Sequence, residues 1–202
     1  MEIIRAGLND TNIFNENELS YGACCFFTED RTCKYYFKIN GREATLYANT
    51  DKYIPQAVEE FLFYSGFITL IKNEVGNKLF SRTQDEPYLC EIEKIQPSQF
   101  YINEKKLENV KKWIKSQEDI YIPIVIKNEQ IISLDGHTRM RAALDLGYTS
   151  VYVYLDDFDD YIFRFANEAL KRRISNVCDM ELVTDEEYKI KWHKFCDNFF
   201  ER

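Results

Sequence analysis

The sequence predicts an α+β protein in two parts: a smaller strand-rich α+β region over residues 1–85, then a small mixed-sheet domain with two C-terminal helices over residues 86–202. Three observations carry this prediction. Short runs rich in aromatic and β-branched residues, parted by turn signals, fill the first part. From residue 89 onward, strand-like and helix-like patterns alternate. The chain then closes on two segments whose apolar residues recur with helical period. At 202 residues it is long enough to bury one large core or two small ones.

The elements follow in order. "YGACCFFT" (21–28), "CKYYFKI" (33–39) and "EATLYA" (43–48) read as strands, with Asn40-Gly41 as a hairpin signal between the last two. "IPQAVEEFLFYS" (54–65) reads as a helix with Pro55 in its first turn and Gly66 past its end. "FITLIKN" and "KLFSR" form a further hairpin around Gly76. "TQDEP" (83–87), polar and closed by a proline, marks the boundary. Beyond it come a strand "LCEIEKI" (89–95), a loop "QPSQFYIN" and a helix over 103–117 with Leu107, Val110 and Ile114 on one face. "YIPIVIK" and "QIISL" are strands joined at Asn128-Glu129; a helix to Leu146 and a strand "SVYVYL" (150–155) follow. One terminal helix spans about 158–173, with Phe158, Ile162, Phe165 and Ala169 sharing a face. The other spans about 184–200, opened by a Thr184/Glu187 capping box and carrying Tyr188, Trp192 and Cys196 at four-residue intervals.

Composition narrows the function classes. A net charge of −8 argues against a dedicated duplex-DNA binder, whose affinity rests on neutralising phosphates. No apolar run reaches the ~20 residues of a membrane span, and the N-terminus lacks the order of a signal peptide, so a soluble cytoplasmic protein is expected. The six cysteines contain no Cys-x-x-Cys pair and only two histidines accompany them, so free buried thiols are expected and no metal site is assigned. Asp156, Asp157, Asp159 and Asp160 suit the polar start of the next helix.

One stretch carries chemistry. In "IISLDGHTRMRAALDLG" (131–147) a strand ends at Asp135-Gly136-His137-Thr138-Arg139 and passes straight into a helix. The first N–H groups of such a helix, with the positive end of its dipole, form an anion site. Gly136 lets the backbone approach an anion, Arg139 can fork onto phosphate oxygens, and His137 can donate a hydrogen bond or move a proton. Asp135 is a base for a substrate hydroxyl or a partner for Mg²⁺. The plainer alternative is a turn in which Asp135 caps the helix and Arg139 or Arg141 pairs with Asp145.

The order of elements around this stretch, with "QPS", "IPIVI" and "DGHTRMRAALDLG" in place, resembles the ParB/sulfiredoxin superfamily over roughly residues 89–200. That family's signature is a Gly-x-x-Arg helix start that binds nucleotide phosphates, matched by Gly136, His137, Thr138 and Arg139. No cysteine stands in the motif, unlike the sulfiredoxins, and the loop "QPSQFYIN" lacks the arginine of true partition proteins. The closest match is the free-serine kinase branch, whose Asp-Gly-His-His-Arg differs only at Thr138. This resemblance implies ATP or ADP, or else CTP, with Mg²⁺ as cofactors, and phosphoryl transfer to a small hydroxyl substrate; the alternatives are a non-catalytic nucleotide-binding regulatory module and, third, a ParB-like DNA-associated protein. It implies catalytic roles for Asp135 and His137. The loop glutamate that serves as base in those kinases is replaced near its place by Gln99, leaving Glu104 a few residues on as the candidate. Asn167 and Arg172, followed by Arg173, stand where the family places a further nucleotide contact. The N-terminal region is a candidate surface for a protein partner.

Overall fold

Aromatic and β-branched residues alternating along short segments pair into a twisted sheet, and the first part of the chain does so. The computed structural model describes residues 1–7, 10–20 and 24–200, and the chain divides into two compact units, Met1–Gln84 and Asp85–Arg202, within the polar "TQDEP" stretch. The fold is α+β, with mixed sheets.

The first unit is a six-stranded sheet in the order β1 (Ile3–Arg5), β2 (Cys25–Thr28), β3 (Lys34–Asn40), β4 (Glu43–Ala48), β5 (Leu70–Asn73) and β6 (Lys78–Ser81). Among the described strands of this sheet only the β4–β5 pair is parallel, because helix α2 (Ile54–Tyr64) carries the chain back across the sheet. A short helix α1 (Glu16–Ser20) lies between β1 and β2. Ala57, Val58 and Phe61 of α2 are buried, and the Phe61 ring stacks on Phe37 at 4.1 Å, which in turn meets Phe26 edge-on. Strand β1 and helix α1 carry no clear sequence pattern that would announce them. Of the strand expected over 21–28, residues 21–23 lie outside the described residues.

The second unit is built on a five-stranded mixed sheet in the order β7 (Tyr88–Glu91), β12 (Ser150–Leu155), β10 (Tyr121–Lys127), β11 (Gln130–Ser133) and β8 (Ile95–Gln96). The strand expected over 89–95 is two strands. A 3₁₀ turn at Ile92–Lys94 breaks it, and β7 and β8 end on opposite edges of the sheet. Within the expected loop a third short strand, β9 (Tyr101–Asn103), pairs in parallel with β13 (Glu181–Val183). Helix α3 (Glu104–Trp113) is shorter than the apolar period suggests. Asp119 accepts the N–H groups of Lys115 and Ser116 and closes a separate 3₁₀ turn, Gln117–Asp119.

Strand β10 is buried on both faces, as a central strand flanked by helices requires. Ile122 and Ile124 face α3 and helix α4 (His137–Asp145), with Met140, Ala142 and Ala143 of α4 fully buried against them. Val125 faces the other way, onto Ile162 and Ala166 of helix α5 (Tyr161–Lys171). The last segment is α6 (Asp185–Tyr188), a π-helical turn Lys189–His193 and α7 (Lys194–Phe200). Trp192, Phe195 and Phe199 of this segment pack on Phe165. Thr184 and Glu187 form the expected capping box. All six cysteines are free; Cys24, Cys25, Cys33 and Cys90 are buried, but Cys178 is exposed on a 3₁₀ turn and Cys196 is half-buried. Among the described residues, no helix is long and apolar enough to cross a membrane.

Candidate functional site

The joint between β11 and α4 is set by Gly136. Its φ of +84° is left-handed, and a Cβ there would stand 2.6 Å from Ile122 Cδ1 and 3.2 Å from Arg139 Nη2. Only glycine meets both conditions at once. The reading in which Asp135 caps the helix does not hold. Gly136 occupies the N-cap position of α4, and among the described residues no side chain caps the first-turn N–H groups. Those donors, the origin of the helix dipole's positive end, stay open.

His137, the first residue of α4, is 3% exposed. Its Nε2 accepts the backbone N–H of Ser98 at 3.1 Å and lies 3.0 Å from the Ser133 hydroxyl. Ser98 Oγ in turn donates to the Ser133 carbonyl at 2.7 Å, pinning the "QPS" loop to the end of β11. Burial drops the His137 pKa to about 4; Asp135 pulls it up and Arg139 pushes it down. The ring is therefore neutral at pH 7. An amide N–H donating to Nε2 requires that the single ring proton sit on Nδ1. Nδ1 is the one buried side-chain N or O atom without a hydrogen-bond partner among the described residues. A buried N–H donor is thus left unsatisfied beside an uncapped helix start, at a cost of about 1–3 kcal/mol unless an acceptor arrives.

Arg139 is tied down. Its Nη1 donates to the Tyr121 carbonyl of β10 at 2.7 Å and its Nη2 to Asp135 at 3.2 Å, with the side chain 18% exposed. Asp135 points outward, its side chain 77% exposed. Crowding at the joint opposes its ionisation, but Arg139, His137 and the Gly136 N–H outweigh that and hold its carboxyl below the ordinary value. Arg141, not Arg139, pairs with Asp145, which Lys111 of α3 also meets at 2.7 Å.

Asp135, Gly136, His137, Thr138 and Arg139 thus lie at one helix start, with Thr138 half-buried. Gln99 donates through Nε2 to the Tyr101 carbonyl and to the Tyr188 hydroxyl, so it braces the loop. Glu104 is exposed in the first turn of α3, and among the described residues no ion pair joins it to Arg139. Arg172 lies over Phe100 at 4.4 Å and pairs with Glu168, while Asn167 lines a shallow groove with Arg164, Lys171, Phe195 and Asn198. No hydrogen bond or ion pair links either of them to the start of α4 among the described residues.

Sequence reasoning missed Ser98, Ser133, Tyr188 and Lys106. Lys106 Nζ stands 5.1 Å from the Tyr188 ring centroid, and its charge is felt at Asp135. Ser98 had a signal, the "QPS" loop; Lys106 had none, being one of several lysines on a polar helix face. Among the described residues, no group of three or more His, Cys, Asp and Glu side chains is placed to hold a metal ion. The donors at the joint fit an anion; they do not fit a resident Mg²⁺.

No protein-family model matches the chain, and no curated protein matches it. Among solved structures, that of protein Atu1540 from Agrobacterium tumefaciens is similar at a TM-score of 0.33 and 18% identity, over 48% of this chain and 62% of the other. At that score the likeness is too loose to support an inference about this chain.

Proposed function

We propose that the second unit binds the phosphate groups of a nucleotide at the start of α4, as the resemblance of Gly136-His137-Thr138-Arg139 to the ParB/sulfiredoxin superfamily implies. The observation that carries this reading is the unpartnered, buried Nδ1–H of His137 beside uncapped helix N–H groups. A phosphate oxygen supplies the missing acceptor and receives the helix dipole. ATP, ADP or CTP is the ligand class, and Mg²⁺ arrives with the phosphates rather than in a protein cage. The site's proton chemistry favours binding over catalysis. His137 is neutral with Nε2 already occupied, and the Asp135 carboxyl is held down by Arg139, so neither is tuned for proton transfer near pH 7. A nucleotide-responsive regulatory module is the reading this supports best. Phosphoryl transfer to a small hydroxyl compound is the second reading, favoured by the exposed Asp135 carboxylate beside the anion site. A ParB-like association with DNA finds no support in the net charge of −8.

The test is nuclear magnetic resonance titration of the ¹⁵N-labelled full chain with ATP, ADP and CTP plus Mg²⁺. The expected result is shifts of the His137, Thr138 and Arg139 amides, and slower exchange of the His137 Nδ1 proton. Silence of these signals at millimolar nucleotide would overturn the reading. Conversion of nucleotide in the presence of small hydroxyl compounds would move the conclusion to the second reading.

A further inference from the structure

The cation that the sequence places at the joint, Arg139, is spent on Tyr121 and Asp135 and is mostly covered. Its charge is largely cancelled by Asp135, so helix N–H groups and one imidazole N–H would face a polyanion alone. A second cation, Lys106, is joined to this helix start by a short run of contacts through Tyr188, Gln99 and Ser98. Lys106 is exposed in the first turn of α3, its backbone N–H held by the Asn103 side chain at 2.9 Å. Its Nζ lies 5.1 Å from the Tyr188 ring centroid; the Tyr188 hydroxyl accepts from Gln99; and Gln99 follows Ser98, whose N–H meets His137 Nε2. Lys111 is paired with Glu108 and Asp145, Lys189 with Asp185, and Lys191 with Glu181. Among the described residues no carboxylate lies within ion-pair distance of Lys106. It also helps to hold the Asp135 carboxyl below its ordinary value.

We propose that Lys106 reads the number of phosphates on the ligand, so that the site takes nucleoside di- and triphosphates in preference to monophosphates. The inference rests on the nucleotide reading above. One phosphate occupies the helix start and the His137 donor, and the ammonium of Lys106, held by the Tyr188 ring, meets the charge of the phosphates beyond it. A lysine suits this role because it is a point charge on a flexible stem and demands no fixed oxygen geometry.

Calorimetric titration of the full chain with ATP, ADP and AMP, at two salt concentrations, tests this on wild type, Lys106→Met and Lys106→Arg. Wild type should bind more tightly as phosphates are added. Lys106→Met should weaken ATP by about tenfold, leave AMP unchanged and flatten the salt dependence; Lys106→Arg should restore ATP. Equal losses for ATP and AMP in Lys106→Met, or no loss for either, would overturn the role of Lys106 while leaving the nucleotide site intact. Absence of binding by wild type to all three nucleotides would overturn both. The exposed position of Lys106 leaves the fold undisturbed, which an unchanged thermal midpoint verifies.

Discussion

Replacing Gly136 by alanine adds one methyl group where the chain can least accept it. Two costs follow from the geometry. At φ +84° an L-residue loses about 1–2 kcal/mol relative to glycine. The new Cβ would also stand 2.6 Å from Ile122 Cδ1, and Ile122 is fully buried in the sheet core, so about 1 Å of movement must be found in a packed interior. Overpacking of that kind costs about 1–3 kcal/mol. Together the substitution should lose about 2–5 kcal/mol, a fall of roughly 8–20 °C in the thermal midpoint. Gly147 is the internal control, since its φ is +90° but nothing lies within 4 Å of its would-be Cβ. Gly147→Ala should show the backbone penalty alone. The assay is built into the chain, because both tryptophans, Trp113 and Trp192, lie in the second unit and report its unfolding selectively. Urea titration by tryptophan fluorescence then gives both losses on one scale. A loss for Gly136→Ala no larger than for Gly147→Ala would refute the close approach to Ile122, and with it the reason for a glycine at the helix start.

Four further outcomes follow. His137 titrates at about 4 when folded and near 6.5 when unfolded, so below pH 6.5 the unfolded chain binds a proton that the folded chain refuses. Stability should therefore fall as pH drops through that window, by about 2 kcal/mol between pH 7 and 5, and urea titrations of His137→Gln should lack this slope. Asn128 and Glu129 form a tight turn with φ of +50° and +64°, where the second position favours glycine; Glu129→Gly should raise the thermal midpoint by roughly 2–4 °C. Asn103, 1% exposed, caps α3 through the Lys106 N–H and donates to Asp185 at 3.0 Å, so Asn103→Ala should cost about 2 kcal/mol in the same fluorescence titration. A thiol-reactive dye at pH 7.5 should label Cys178 first and Cys196 slowly, since burial and Asp197 push the Cys196 thiol up to about 11; rapid labelling of Cys24 or Cys90 would contradict their burial.

Elements with a strong period and clear punctuation are legible in the amino-acid order. The Asn40-Gly41 hairpin, α2 between Pro55 and Gly66, and the Thr184 capping box are each determined within a few residues, and each forms. Elements decided by distant partners are not legible there. Strand β1 is three residues long and exists because Ile3, Ile4 and Arg5 find Thr28, Phe27 and Phe26 across the sheet. The run 89–95 looks continuous because no glycine or proline interrupts it, yet Cys90 pairs with Val151 while Ile95 pairs with Ile131, on opposite edges. A period measures which face is buried; it does not record which neighbour buries it.

The same division separates the two halves of the candidate site. Its backbone half, a glycine at a strand-to-helix joint, is local and can be read from "LDGHTR". Its chemical half is not local, because what His137 can do is decided by its burial and by the N–H of Ser98, 39 residues away in the chain. In the sequence His137 stands equally for a proton carrier and a hydrogen-bond donor. The Ser98 N–H on Nε2 removes that freedom: it fixes the tautomer and leaves only Nδ1–H to act. A histidine held in this way serves as a donor aligned by its neighbours, whose worth depends on the geometry of an arriving acceptor and not on the pH of the solution above about 5. Affinity for a phosphate ligand that varied with pH between 6 and 8 by more than the ligand's own ionisation would therefore place a second titrating group at the joint, and Asp135, held ionised throughout that range, could not be it.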